Sequence, residues 1–519
     1  MVQVDFDVII IGGAFSGAST AILLKRKHPS LRILIVERVE EFDRKVGEAT
    51  TEISGCFLTK HLMITHHLAH HQIPKQGLRL WFCRSENDAF DDCGETGAKY
   101  HARLPSYQLD RAVLDTSILK EAVALGAELW RPAKVGEITT GEGDNTLTVE
   151  VEGETRTVRS RWLIDASGRA SVIARKNNWL KPLTEHPTSS VWARVRGTKD
   201  WDGYEIRTAN PKYARASHAS RSAATNHLTG YGWWCWIIPL KGGDYSVGIV
   251  YDERIFQLPP GPTLGDRLMA HLMQNPIGKK IFVDAECIEG DVKAYSMLPY
   301  YSEQVAGPGW FTVGDAAGFI DPLYSQGLDF CAWTVSATVG AISDEVEGKS
   351  IDPKKLNADF QRAYHSWFRA LYLDKYYYLG DADLMIPAFL MDLGLYFYGP
   401  VRDAVNFPER GMRELPFCES PSQFVAQSMA FYNRRLVAIA KNRMRLGTYG
   451  RNNLNRRELI AGFIPDWTVW KVILRGMRLW MRAEVVNFFE SLAGKKSSAL
   501  SSIPPKVIAP VSASTDPVI

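Results

Sequence analysis

The chain predicts an α/β fold with an inserted β-sheet layer and a helical C-terminal region, and three observations carry that expectation. The apolar run Val8 to Ile11 breaks at Gly12-Gly13-Ala14-Phe15-Ser16-Gly17 and continues as a helical stretch, Ala18 to Lys27. That order of strand, glycine turn and helix opens a Rossmann-like βαβ unit. A second short strand, Arg32 to Val36, follows, and residues 350 to 400 are helical in pattern and dense in aromatic side chains.

Within the opening unit each residue has a physical task. Gly12 lets the chain turn sharply, Gly17 lets the helix pack on the sheet, and the helix N-terminus directs its amides and dipole at a pyrophosphate. Ala14 stands where a second glycine is usual and crowds the phosphates slightly. Glu37 ends the second strand and is placed to accept hydrogen bonds from a ribose, with Arg38 beside it. Further on, Tyr107 to Arg111 leads a helix that ends at Gly126, and Leu163 to Gly168 closes another strand.

At 519 residues and 45% hydrophobic content, the chain is long enough for two or three domains around a large core. Its seven cysteines are scattered, with no CxxC pair, so neither a disulfide framework nor a zinc site is suggested, and a reducing cytoplasm fits. No uninterrupted apolar stretch reaches membrane-spanning length, and the N-terminus lacks the basic flank of a signal peptide. The net charge of +3 conceals a basic segment, residues 431–482, whose twelve Lys and Arg face only Glu458 and Asp466. An acidic acyl-carrier protein or an anionic membrane surface suits such a face, and no nucleic acid is expected. From Trp470 an apolar stripe (Ile473, Leu474, Met477, Trp480, Met481) runs beside a basic one. His66/His70 and His67/His71 stand at i, i+4, but no carboxylate or cysteine at suitable spacing completes a metal site, and none is expected.

Two further motifs carry the chemistry. Trp234-Cys235-Trp236-Ile237-Ile238-Pro239 fits WxWxIP, and Phe319-Ile320-Asp321-Pro322-Leu323-Tyr324-Ser325-Gln326-Gly327 fits FxxPxxSxG. With the glycine turn, the segment Val46-Gly47-Glu48-Ala49-Thr50 and Gly314-Asp315, these residues resemble the flavin-dependent halogenases, a branch of the FAD-dependent monooxygenase superfamily, over roughly residues 5 to 340. The resemblance implies an FAD-binding fold of the glutathione-reductase/hydroxylase type. Its implied cofactor residues are Gly12, Ala14, Phe15, Ser16, Gly17, Glu37, Arg38, Glu48, Ala49, Thr50, Arg111, Asp315 and Gly327.

The same resemblance implies an FAD-dependent oxidoreductase that uses FADH2, O2 and chloride or bromide to halogenate a phenol, pyrrole or indole, free or carrier-bound. Trp234 and Trp236 would fill the space beside the flavin, so that only a small anion reaches it. The backbone amides of Gln326 and Gly327 would hold the halide, with Ser325 in support, and Lys75, in a segment resembling KxGxxF, would guide hypohalous acid to the substrate. Arg79 is the nearest cationic substitute for Lys75, and Glu52 occupies a place where many relatives have proline. No second glycine fingerprint appears for a nicotinamide, so a separate flavin reductase is expected to supply FADH2. The alternatives are a halogenase-like monooxygenase or a geranylgeranyl-reductase-like enzyme acting on an apolar substrate, and a flavoprotein whose basic face binds partners. The expected domains are residues 1–345 with the inserted sheet at about 178–300, a helical domain at 346–494, and a disordered tail at 495–519.

Overall fold

The computed structural model describes residues 4–462 and 464–494. The expected tail from 495 lies outside the described residues. The opening strand, Phe6–Ile11, lies between Ile33–Val36 and Glu154–Asp165, and the parallel sheet is completed by Trp310–Thr312 on one side and Glu128–Trp130 on the other. Its β-branched residues are buried on both faces, which is why the run reads as continuously apolar instead of alternating. An antiparallel pair, Ala133–Thr139 and Asn145–Val151, extends the long strand Glu154–Asp165 outward.

The second sheet has nine strands and draws on more of the chain than 178–300. Its centre is Thr188–Arg196, Tyr245–Asp252, Trp233–Pro239 and Thr225–Gly230 in that order. Beyond it come Leu78–Phe82, Gly94–Ala98 and, from the far end of the chain, Arg457–Ile460. Period-2 patterning reports how a strand faces its sheet but not which strand it pairs with, so these long-range additions were invisible in the sequence.

The C-terminal helices are not a separate body. Pro353–Leu371, Ala382–Tyr396 and Ser420–Leu446 share one apolar core with the opening βαβ unit and with Trp234 and Trp236. The stretch Ala382–Asn406 is helical, and apolar enough to cross a membrane by length and composition. Yet 72% of its apolar window is buried inside the protein, as befits a core helix. The aromatic residues 350–400 are mostly core, Tyr364, Trp367, Tyr372, Tyr376 and Tyr378 each being under 3% exposed.

Candidate active site

The first helix, Phe15–Lys27, begins without a capping side chain and with no acid in its first turn, which leaves its leading amides and positive dipole end for a ligand. Gly12 is required there: it adopts φ +98°, and a Cβ would lie 2.5 Å from the Ala166 carbonyl oxygen. At Gly17 a Cβ would stand 1.8 Å from the Gly12 oxygen, so helix and strand touch backbone to backbone. Ala14, by contrast, has φ −75° and accommodates its methyl without backbone strain. Phe15 is buried under the Arg111 guanidinium, and Ser16 packs against Gly314, where a Cβ would meet its Oγ at 2.2 Å.

Acidic and basic groups converge on this turn. The Gly13 amide donates to Glu37 Oε2 at 2.7 Å, while Arg38 is exposed one residue further on. Arg111 is held by a two-pronged pair to Asp115 and donates to the Val46 carbonyl. The Asp315 carboxylate finds no hydrogen-bond donor among the described residues, and burial raises it, opposed by Arg111, Arg169 and Lys45. A glycine turn, an open helix end, a ribose-type acceptor and an unsatisfied carboxylate fit a flavin dinucleotide. Lys45, whose ammonium burial pushes down and which sits among Asp115, Arg111 and Glu37, joins the cleft. Only its place directly before the Val46–Thr50 segment could have marked it.

Glu48 and its neighbours link that cleft to the second sheet. Glu48 is buried and accepts from Arg194 Nη2 at 2.9 Å, while Arg194 Nη1 donates to Asp110 at 3.0 Å. Burial outweighs this pairing and lifts the Glu48 carboxyl to about 7. Ala49 bridges to Gln108, and Thr50 exchanges hydrogen bonds with the Tyr107 backbone, which fixes the segment in an extended path.

Lys75 is reached from this segment. Its Nζ donates to the Thr50 carbonyl at 2.8 Å and lies 3.5 Å from Ser325 Oγ. Burial pushes the Lys75 ammonium down to about 8, with Glu52 and Asp329 opposing. Ser325 holds φ +60°, a left-handed conformation uncommon for a serine, and this turns its side chain toward Lys75. Arg79 is not a substitute for Lys75. It is fully buried on Leu78–Phe82 and donates to Glu95, Ser217 and the Ala98 carbonyl, because strand alternation turns it to the sheet face that Trp81 and Glu95 share.

Gln326 and Gly327 open the twenty-residue helix Gly327–Val346, and their amides find no acceptor among the described residues. They border a small cavity of about 20 Å³, roughly a water's worth of space, together with Asp315 and Phe319. A second cavity of about 1350 Å³ is lined by Lys75, Thr50, Glu52, Tyr396 and Phe389. Gln326 and Trp367 line both, and Gln326 Oε1 accepts from Trp367 Nε1 at 2.7 Å and from the Tyr372 hydroxyl at 2.9 Å. That hydrogen-bonded pair forms a wall shared by the two spaces.

Trp234 and Trp236 point to one side of Trp233–Pro239, 5.9 Å apart between ring centres, and line neither cavity. Trp236 Nε1 donates to Ser246, and Trp234 Nε1 donates to the Tyr376 hydroxyl, which donates to Asp321. His186 also meets Asp321, at 2.8 Å. This relay ties the two motif segments together, and Asp321, Tyr376 and His186 carried no sequence signal as a set. Behind the Lys75 side, Asp329 accepts from Thr51, the Ser54 amide and Tyr396, and burial lifts it to about 6. The histidines of Thr65–His71 pair as tilted rings, His66 with His70 at 4.4 Å and His67 with His71 at 5.0 Å between centres.

Comparison with known proteins finds halogenases among both the relatives and the solved structures. The tryptophan halogenase family model matches residues 87–376. The flavin-dependent halogenase chlA of Dictyostelium discoideum is 27% identical over 429 residues, covering 76% of this chain and 69% of its own length. A 1H-pyrrole-2-carbonyl peptidyl-carrier protein brominase of Pseudoalteromonas luteoviolacea is 25% identical over 353 residues, covering 66% and 79%. Among solved structures, halogenase PltM superposes with a TM-score of 0.72 over 92% of this chain and 98% of its own, at 18% identity. One PltM structure contains phloroglucinol and FAD.

Proposed function

We propose, from the premise that the chain belongs to the tryptophan halogenase family, that it halogenates an electron-rich aromatic held in the large cavity beside Lys75. The chain is an FAD-dependent oxidoreductase of the halogenating type. The glycine turn at Gly12–Gly17, Glu37, Glu48, Arg111 and Asp315 hold the cofactor. Bound reduced FAD, with O2 and chloride or bromide, supplies hypohalous acid.

The remaining roles belong to this chain's own groups. The Gln326 and Gly327 amides hold the halide through a positive dipole that offers the oxidant no titrating group. Trp234 and Trp236 line neither cavity and do not wall off the flavin as the sequence led one to expect. Trp234 acts through Tyr376 and Asp321 to hold the Phe319 to Gly327 segment in place. Lys75 donates a hydrogen bond to the oxygen of hypohalous acid, the ring carbon takes the halogen as the O–X bond breaks, and the hydroxide leaves as water with the displaced ring proton. A phenol, pyrrole or indole has the electron density for this step. The single observation that carries the reading is the approach of Lys75 Nζ to Ser325 Oγ at the wall of that cavity.

A separate flavin reductase supplies FADH2. The basic segment 431–482 serves as a docking face for an anionic partner, and the free state of all seven cysteines supports a cytoplasmic setting. Mass spectrometry of phenols, pyrroles and indoles, free and carrier-bound, with FADH2, O2 and either halide tests the reading; phloroglucinol is the first phenol to try. A product that gains chlorine or bromine according to the salt supplied is expected. Halide-independent gain of oxygen would overturn it in favour of a hydroxylase.

A further inference from the structure

The helix Val469–Gly494 presents two unlike faces. Val469, Ile473, Gly476 and Ala483 are buried, and a Cβ on Gly476 would lie 2.7 Å from Met391 Cγ, so this side is seated closely on Ala382–Tyr396. On the other side Trp470, Leu474, Met477, Met481, Val485 and Phe488 are each more than 40% exposed. At 3.6 residues per turn these six fall within about 80° of arc. With Leu492 the stripe runs about 33 Å along the axis. Surfaces of this kind are not left bare in water without a use.

Charge is arranged around the stripe in one sense. Lys471, Arg478 and Arg482 are exposed along one edge of it and make no ion pair among the described residues. The helix's own acids are engaged elsewhere: Glu484 pairs with Arg435 at 2.7 Å and Glu490 with Arg451. Aromatic side chains gather at the N-terminal end, where Trp467 is 68% exposed and Trp470 stands 5.0 Å from the Tyr398 ring. Tyr398 is also part of the wall of the large cavity.

We propose that this face of Val469–Gly494 lies in the plane of an anionic phospholipid surface, its apolar stripe in the acyl boundary and its cations on the headgroups. The proposal rests on the docking role given above to the basic segment and names its partner. A straight stripe of that length matches a plane better than the curved end of a small carrier protein, and an apolar face with a cationic flank is the pattern of helices that lie on membranes. Tryptophan and tyrosine at one end suit the interface, where one part of the ring is wet and the other dry. Through Tyr398, which touches Trp470 and lines the large cavity, the contact brings part of that cavity's wall near lipid.

Flotation of the full FAD-loaded chain with vesicles tests the idea. Vesicles of phosphatidylcholine containing about 30 mol% phosphatidylserine should carry the protein at low salt, with at least about tenfold weaker binding to phosphatidylcholine alone and near 0.5 M salt. Leu474→Asp with Met481→Asp, and separately Arg478→Gln with Arg482→Gln, should lose about tenfold while melting and halogenation stay unchanged. Hydrogen exchange of residues 469–492 should slow on the vesicles. Failure to float, with an acidic acyl-carrier protein binding through the same residues, would overturn the lipid proposal and keep the anionic-partner reading. Binding to neither would remove both. A solution dimer dispersed by Leu474→Asp, with no flotation, would assign the stripe to a second copy of the chain and also overturn the proposal.

Discussion

Lys75 and Ser325, 250 residues apart, place Nζ 3.5 Å from Oγ. The contact brings an ammonium to the residue before the N-cap of Gly327–Val346, where Gln326 borders both a water-sized cavity and one large enough for an organic ring. Gln326, next to Ser325, lines both spaces, while Lys75 lines the large one.

Lys75→Met should abolish halogenation, by at least about 100-fold, while FAD affinity changes less than about twofold, because Lys75 lines the substrate cavity and not the glycine turn. Kinetics and flavin titration read the two effects separately. Loss of both together would place Lys75 in the cofactor site.

The same variant should be more stable than the native chain near neutral pH. Burial lowers Lys75 to about 8 from 10.5, so the unfolded chain binds its proton more tightly, and the folded state bears the penalty below pH 8. That penalty is about 3 kcal/mol before the lost hydrogen bond to Thr50 is subtracted, and it fades as pH rises from 8 to 10.5. Melting scans should show the variant ahead at pH 7 and the gap closing by pH 10.5.

Arg194→Leu should destabilise the fold by about 3 kcal/mol at pH 8, since it strands a buried Glu48 carboxylate. Glu48 titrates at about 7 in the folded state against 4.5 for an ordinary glutamate, so its charge costs stability progressively as pH rises through that window. Removing Arg194 raises the folded value further, so the defect should shrink in acid, and adding Glu48→Gln should rescue much of it. Denaturant unfolding at two pH values decides.

Trp367→Ala should join the two cavities by removing a shared wall residue and one of the two donors to Gln326. Deleting a buried tryptophan costs about 3–5 kcal/mol, so the assay belongs at low temperature. The expected sign is oxygenated substrate, or peroxide released without product, at the expense of halogenated product.

The local parts of this account were legible from residues alone. Gly12 and Gly17 each do a job that their own strand or helix imposes, and Trp234 and Trp236 sit on a strand that Pro239 ends. Pairings across the chain were not legible. Arg194 with Glu48, Trp234 with Tyr376 and Asp321, and Asp329 with Thr51 join single polar residues from distant elements, and no spacing encodes such a partner. The basic segment 431–482 also looked more highly charged than it is in three dimensions. Arg443, Arg456 and Arg435 are offset by Asp381, Asp383 and Glu484, all outside that window.

Product analysis after one turnover with FADH2, O2 and bromide tests the central claim most directly, run on the native chain and on Lys75→Met. The account predicts a brominated aromatic from the native chain and, from the variant, free oxidised bromide with the aromatic untouched. Equal bromination by both, or an oxygenated aromatic formed without bromide, would contradict it.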